Sequence, residues 1–201
     1  MTRSSQKQAG RKADLINAAI RKVAASGSHD ITVAEIAREA GMSSALAHHY
    51  FGSKEQMLLS AMRHILREYG AAVRAALAAA KGPRARLDAI IAASFGAGHF
   101  DREVIAAWFA FYALAQTNDE AARLLSVYHR RLRSNLLADL RALSPAPGDI
   151  AEAIAAQIDG LYIRAALGRP AISGRGAETL LRASLDLMLP APGLAPGGGQ
   201  A

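Results

Sequence analysis

Between Ile31 and Lys54 the chain has room for two short helices and a tight turn, and few folds accept that arrangement. Thr32-Val33-Ala34-Glu35 is a capping-box pattern: the threonine hydroxyl accepts from the third helical amide while the glutamate reaches back to the cap amide. A helix therefore starts at Val33. It lasts about two turns, because Gly41 follows Ala40 and supplies the positive φ of a tight turn. Ser43 then caps a helix carrying Leu46, Ala47 and Tyr50, which ends at Phe51-Gly52. A long helix opens at Ser53, with Gln56 again in the capping-box position. The pair is a helix-turn-helix, in which the first helix braces against the DNA backbone and the second presents its N-terminal half to base edges. Spacing alone leaves another reading open, because such pairs also serve as plain packing elements in helical proteins.

The rest of the chain has the same helical period. Leu15, Ala19, Ile20 and Val23 make one face of a leading helix that should stop near Ser26-Gly27. The helix from Ser53 carries Met57, Leu58, Ala61, Ile65, Tyr69, Val73 and Leu77 to about Ala80, where Gly82-Pro83 breaks it. Further helices are expected at about 84–96, 102–116, 119–143, 149–167 and 176–189, between turn-forming segments. Strand-like alternation is nearly absent, so the fold class is all-α, with a head of three short helices joined by a long helix to a helical body. The expected organisation is a basic flexible arm over residues 1–10, a helix-turn-helix domain over 11–54, a ligand-binding and dimerisation domain over 55–190, and a disordered tail over 191–201, rich in Pro, Gly and Ala.

Charge is unevenly placed. The net charge is +7, and residues 1–54 hold eight Lys/Arg against four Asp/Glu. Arg3, Lys7, Arg11 and Lys12 all precede the first acid, Asp14. Such an arm suits a polyanion, although charge alone fits a merely solubilising terminus equally well. With no cysteine, the chain has no disulfide framework, thiolate metal site or cysteine nucleophile. The polar N-terminus lacks a secretory leader's apolar stretch, and the longest uncharged helical run, Val104 to Asn118, is too short to span a membrane and reads as a buried helix. The expected location is the cytoplasm, with no membrane contact.

Small residues at the start of the reader helix, Ser43, Ser44 and Ala45, allow close approach, and amides or hydroxyls there bind phosphate. His48 and His49 offer donors to bases or backbone, the Tyr50 hydroxyl reaches a phosphate, and Lys54 adds a phosphate contact. Residues 11–58 resemble the DNA-binding head of the TetR family of transcriptional regulators, through "ITVAEIAREAGMSSALAHHYFGSKEQML" and its marks Thr32, Ile36-Ala37, Ala40-Gly41, Ser43, Tyr50-Phe51, Lys54 and Leu58. Two positions depart from the pattern: Ala47 stands where the family usually has a larger aliphatic residue, and His48 where it often has tyrosine. The resemblance adds Thr32 to the DNA-facing residues, and implies a homodimer on a pseudo-palindromic operator and a small-molecule effector.

The densest aromatic segment is Ala107-Trp108-Phe109-Ala110-Phe111-Tyr112, in a chain with only 5% aromatic residues. It fits either a pocket wall or ordinary core. "AWFAFYALA", "RRLRSNL" and "QIDGLYIRAAL" resemble segments of the BetI group of that family, repressors that respond to choline and control glycine betaine synthesis. A quaternary ammonium cannot donate hydrogen bonds, so aromatic faces and carboxylates must recognise it. On that resemblance Phe95, Trp108, Phe111, Tyr112 and Tyr162 are candidate walls, and Asp159 or Asp101 a candidate counter-charge; Asp159 is equally placed to pair with Arg164 or to cap a kink at Gly160.

Dimerisation is expected through residues 149–189, with Ile150, Ile154, Ile158 and Leu161 on one helix and Leu180, Leu181, Leu185 and Met188 on the other. The same residues would serve equally as core within one chain. No nucleophile elbow, phosphate loop, cofactor motif or metal-ligand pair is present, so neither catalysis nor a cofactor or metal is expected. Two alternatives stand beside the choline reading: a TetR-type regulator of another pathway with a different effector, and a helical adaptor that binds protein through the aromatic helix.

Overall fold

A computed structural model describes residues 3–26, 31–168 and 170–190, which form nine helices and no strand. They are α1 (Arg3–Ser26), α2 (Val33–Glu39), α3 (Ser44–Phe51), α4 (Lys54–Ala79), α5 (Pro83–Phe95), α6 (Arg102–Ala115), α7 (Asp119–Leu140), α8 (Pro147–Leu167) and α9 (Gly174–Met188). The ends follow local chemistry. Pro83 and Pro147 sit at the starts of α5 and α8, where a fixed φ suits a helix and the missing N–H costs nothing. Asn118 Oδ1 accepts from the Ala121 amide to cap α7, and Ser173 Oγ accepts from Gly176 to cap α9. The expected stop at Gly27 and the tail at 191–201 lie outside the described residues.

One expectation is corrected at the N-terminus. The segment read as a flexible arm is helical from Arg3 onward, continuous with α1. Its residues are mostly good helix formers without proline, and extending an already anchored helix avoids the cost of nucleation. Lys12, counted with that arm, has its ammonium 5.5 Å from the centre of the Phe51 ring.

Among the described residues the helices pack as two compact units, one up to residue 68 with 98–125, the other 69–97 with 126 onward. This division differs from the boundary expected at residue 54, because α6 packs on α1 and so joins the helix-turn-helix. In the first unit Leu15, Ala19, Ile20 and Val23 of α1 are buried as the period required. Arg21 (3.1 Å) and Lys22 (3.7 Å) both pair with Glu39 and tie α1 to α2. Glu120, in the first turn of α7, accepts from Gln56 Nε2 at 2.7 Å and pairs with Arg63, both on α4.

In the second unit α9 packs on α5 and on α8. The Arg86 guanidinium joins three helices: Nε meets Asp139 of α7 at 2.8 Å, and Nη1 donates to the Leu77 carbonyl of α4 at 3.2 Å. A second correction concerns the expected dimer face. Ile150, Ile154, Ile158, Leu161, Leu181 and Leu185 are buried within the single chain, where α8 meets α9. Exposed apolar side chains on these two helices are instead Leu180 (50%), Leu167 (62%), Leu187 (89%) and Ile163, while Met188 is half-buried.

Candidate DNA interface and effector site

The capping box at α2 forms as its sequence requires. The Thr32 hydroxyl accepts from the Glu35 amide at 3.2 Å, and the Glu35 carboxylate takes bonds from the Thr32 amide and hydroxyl, each at 2.7 Å. Those bonds, the hydroxyl first, hold the Glu35 carboxyl below the usual carboxylate range. They also change what Thr32 can do at an interface, because its hydroxyl proton is already on Glu35. Within the box Thr32 places α2 and has no hydroxyl proton for a phosphate.

The turn follows from Gly41, whose φ is +66°. Its amide donates to the Arg38 carbonyl at 3.1 Å and Met42 donates to Ala37 at 2.8 Å, which closes the end of α2. Ser43 Oγ then accepts from Leu46 at 3.2 Å and starts α3, while the hydroxyl proton remains for an acceptor such as phosphate. Ala47 and Phe51 form the buried side of α3. Ser43, Ser44, Ala45, His48 and His49 are exposed, and Tyr50 and Lys54 are half-buried, so the short N-terminal residues and both imidazoles share the open side. His48 Nδ1 lies 3.0 Å from the Gly52 carbonyl. A carbonyl only accepts, so Nδ1 carries the proton and Nε2 of the neutral ring is an acceptor, suited to the amino group of adenine or cytosine. Tyr50 is held edge-on by His49 (5.7 Å between centroids) and Phe51 (6.5 Å).

The six expected effector residues divide three and three between the units. In the first, Trp108 and Phe111 are buried, and Trp108 lies tilted against Tyr112 at 5.6 Å and meets Phe111 edge-on at 6.3 Å. Phe111, with Ala19, Met62 and Ala110, borders a cavity of only about 20 Å³. That space suits one water, not an organic cation. Asp101, the other counter-charge candidate, accepts from the Gly98 amide at 3.1 Å and so shapes the turn before α6.

In the second unit Phe95, Tyr162 and Asp159 fall into one cluster with four residues that the sequence had not singled out as effector contacts: Tyr69, Ser94, Tyr128 and His129. Phe95 and Tyr162 stack at 6.2 Å, and Tyr69 meets Tyr128 edge-on at 6.2 Å. Ser94 is buried and donates its proton to the Ile90 carbonyl at 2.9 Å. The Tyr69 hydroxyl, 3.0 Å from Ser94 Oγ, is therefore the donor in that pair. Tyr162 donates to the Ser94 carbonyl at 2.7 Å, and Tyr128 donates to Asp159 Oδ1 at 3.4 Å. The other carboxylate oxygen, Oδ2, lies 2.8 Å from His129 Nε2. Of the partners open to Asp159, His129 is the one that forms an ion pair with it here.

Burial pushes the Tyr69 phenol up to about 12 and raises that of Tyr162 further, the Asp159 charge adding to both. Both remain neutral at physiological pH. The hydrogen bond to Asp159, outweighing partial burial, raises the His129 imidazole above its usual value. All three phenolic protons are in use, so the cluster offers ring faces, oxygen lone pairs and a carboxylate. Ring faces beside a carboxylate are groups that attract a quaternary ammonium. Tyr69 and Tyr128 are legible in the sequence only as apolar-register residues, Tyr69 in step with Ile65 and Val73 and Tyr128 with Leu132. Among the described residues no group of three or more His, Asp or Glu is placed to hold a metal ion, and no helix is long and apolar enough to cross a membrane.

Comparison with known proteins bears on both sites. Residues 15–61 match the profile "Bacterial regulatory proteins, tetR family", and residues 83–190 match "BetI-type transcriptional repressor, C-terminal". The chain is 49% identical over 181 residues to the HTH-type transcriptional regulator BetI of Brucella suis, covering 89% of this chain and 91% of that protein. It is 48% identical over 182 residues to the BetI of Agrobacterium fabrum, covering 89% and 88%. Its fold matches a transcriptional regulator of Saccharomonospora viridis solved in complex with choline, with a TM-score of 0.78 at 20% identity over 90% of this chain and 98% of that one. A capped reader helix at the N-terminus and a BetI-type helical body thus stand in one chain, which belongs to the TetR family as a BetI-type helix-turn-helix transcriptional repressor.

Proposed function

We propose that this repressor acts in the cytoplasm as a homodimer on a pseudo-palindromic operator, and that choline binding in the Asp159 cluster alters its operator affinity, controlling genes of glycine betaine synthesis. The observation that carries the effector reading is Asp159 among Tyr69, Tyr128 and Tyr162, their hydroxyl protons already used. A quaternary ammonium there needs only the charge of the carboxylate and the ring faces. The choline found in the structural neighbour from Saccharomonospora viridis supports the same ligand class.

Reader contacts proposed for each half-site are Ser43 and Lys54 to phosphate, Ser44, Ala45, His48 and His49 at base edges, and Tyr50 to the backbone. Thr32 contributes by placing α2. Two heads on a symmetric dimer multiply the few base contacts that one head supplies. The dimer face is the outward stripe Ala156, Gly160, Ile163 and Leu167 of α8 with Leu180, Ser184 and Leu187 of α9. Ala156, Gly160, Leu180 and Ser184 all border one shallow groove of about 430 Å³.

Calorimetry of the intact protein with choline chloride, and with ethanolamine as control, tests the effector. Choline heat that disappears in Asp159→Asn is expected. No choline heat up to about 10 mM, where binding is weaker than about 3 kcal/mol, removes the reading. Light scattering tests the assembly: a dimer is expected, with Leu180→Glu shifting it toward monomer.

A further inference from the structure

The Asp159 carboxylate already has a partner that can carry positive charge. His129 Nε2 lies 2.8 Å from Oδ2, and its side chain is 42% exposed, so its proton exchanges with solvent. This pair sits beside the tyrosine rings that make the effector reading attractive: Tyr128 and His129 have ring centroids 5.2 Å apart.

The surrounding groups leave the imidazole as the element whose charge changes near neutral pH. Tyr69 on α4 and Tyr162 on α8 are neutral phenols, Tyr128 beside His129 on α7 donates its hydroxyl proton to Asp159, and α5 contributes Ser94. Glu152 on α8 is a further acid whose field reaches His129, and it faces Arg133 at 3.6 Å. With His129 protonated, the Asp159 charge is balanced inside the protein. A quaternary ammonium added to that state would leave one net positive charge among the rings, which is costly away from water. With His129 neutral, the same ligand completes a balanced pair.

We propose that His129 is a specificity-determining residue of the effector site: as a cation it competes for Asp159, so that effector binding expels its proton and the repressor reads effector concentration jointly with pH. This rests on the reading of Asp159 as the effector's counter-charge. Binding selects the neutral imidazole, so affinity falls with the fraction of protein in that state, approaching about tenfold per pH unit on the acid side of the His129 titration. On the alkaline side it becomes flat.

The test is calorimetry of the full chain with choline chloride from about pH 5.5 to about pH 8, in two buffers of different ionisation enthalpy. For the wild type the expected results are the acid-side loss of affinity and a buffer-dependent heat equal to release of up to one proton per site. His129→Gln retains an N–H donor for Asp159 without charge and should bind with little pH dependence. His129→Arg holds a permanent charge and should bind weakly at every pH. Wild-type affinity flat across the range, or binding without proton release, overturns the inference even if neither variant folds. The same pH slope in His129→Gln also overturns it. Choline binding lost in Asp159→Asn but pH-independent in the wild type leaves the proposed function standing and removes this inference alone. Absence of choline binding at every pH removes both.

Discussion

Replacing Arg86 by methionine tests what holds together the helices that carry the Asp159 cluster. Asp139 is 6% exposed, and its Oδ2 is buried without a hydrogen-bond partner among the described residues, so the pair with Arg86 through Oδ1 compensates its charge. Removing one partner of a fully buried ion pair costs about 3–5 kcal/mol, because the remaining charge is stranded. The Arg86 side chain is one-third exposed, which lets water screen the pair, so the lower end, about 3 kcal/mol, applies. Loss of the bond to the Leu77 carbonyl adds about 1 kcal/mol at most, since that group can turn to water. Urea denaturation should therefore show a loss of about 3–4 kcal/mol. For a chain of this length that corresponds to a fall in Tm of roughly 6–16 °C. The double variant Arg86→Met, Asp139→Leu removes the stranded charge and should recover most of the loss. A single-variant loss below about 1 kcal/mol, or a double variant no more stable than the single, would refute the argument that Asp139 depends on this guanidinium.

Thr32→Ala removes both hydroxyl bonds of the capping box and should destabilise the head by about 1 kcal/mol in denaturant titrations, with Thr32→Ser close to wild type. Lys54→Ala should weaken binding across DNA sequences and make the slope of log K against log salt shallower by about 0.9, as read by fluorescence anisotropy at several salt concentrations. His48→Ala should instead change the preference among operator variants, because it removes the Nε2 acceptor while leaving the Lys54 charge intact. Because the folded state raises the His129 imidazole, its pairing with Asp159 stabilises fully below the unfolded value near pH 6.5 and is lost as pH rises through the folded one. The Tm advantage of wild type over His129→Gln should accordingly be largest at acid pH and shrink toward alkaline pH.

Local information determined the helix-turn-helix. The capping box at Thr32, the positive φ of Gly41 and the cap at Ser43 each depend on residues within one or two turns, so their consequences are written in consecutive positions. The same holds for the starts of α5 and α8 at proline and for the all-α class. Residues 3–10 are helical although their basic composition suits a free arm, because helix propensity and an anchored continuation favour α1. The Thr32 hydroxyl shows a finer limit, since an interface role for it competes with its bond to Glu35.

Tertiary structure decided which apolar helix stripes meet and where polar atoms on distant helices converge. Periodicity says that α6, α8 and α9 each have a buried side, but not what covers it. The α8 and α9 stripes expected to face a second subunit cover each other within one chain, and α6 packs with the head. The effector cluster is the clearest case. His129 and Asp159 stand thirty residues apart, and Ser94 and Tyr162 sixty-eight, so no local rule pairs them. Hydrogen-bond donors and acceptors find one another only after apolar burial has fixed the helices at one level. Sequence placed Asp159 and Tyr162 among the candidates; the fold supplied His129, Tyr69 and Tyr128, because short-range polar contact depends on distance in space and not on separation along the chain.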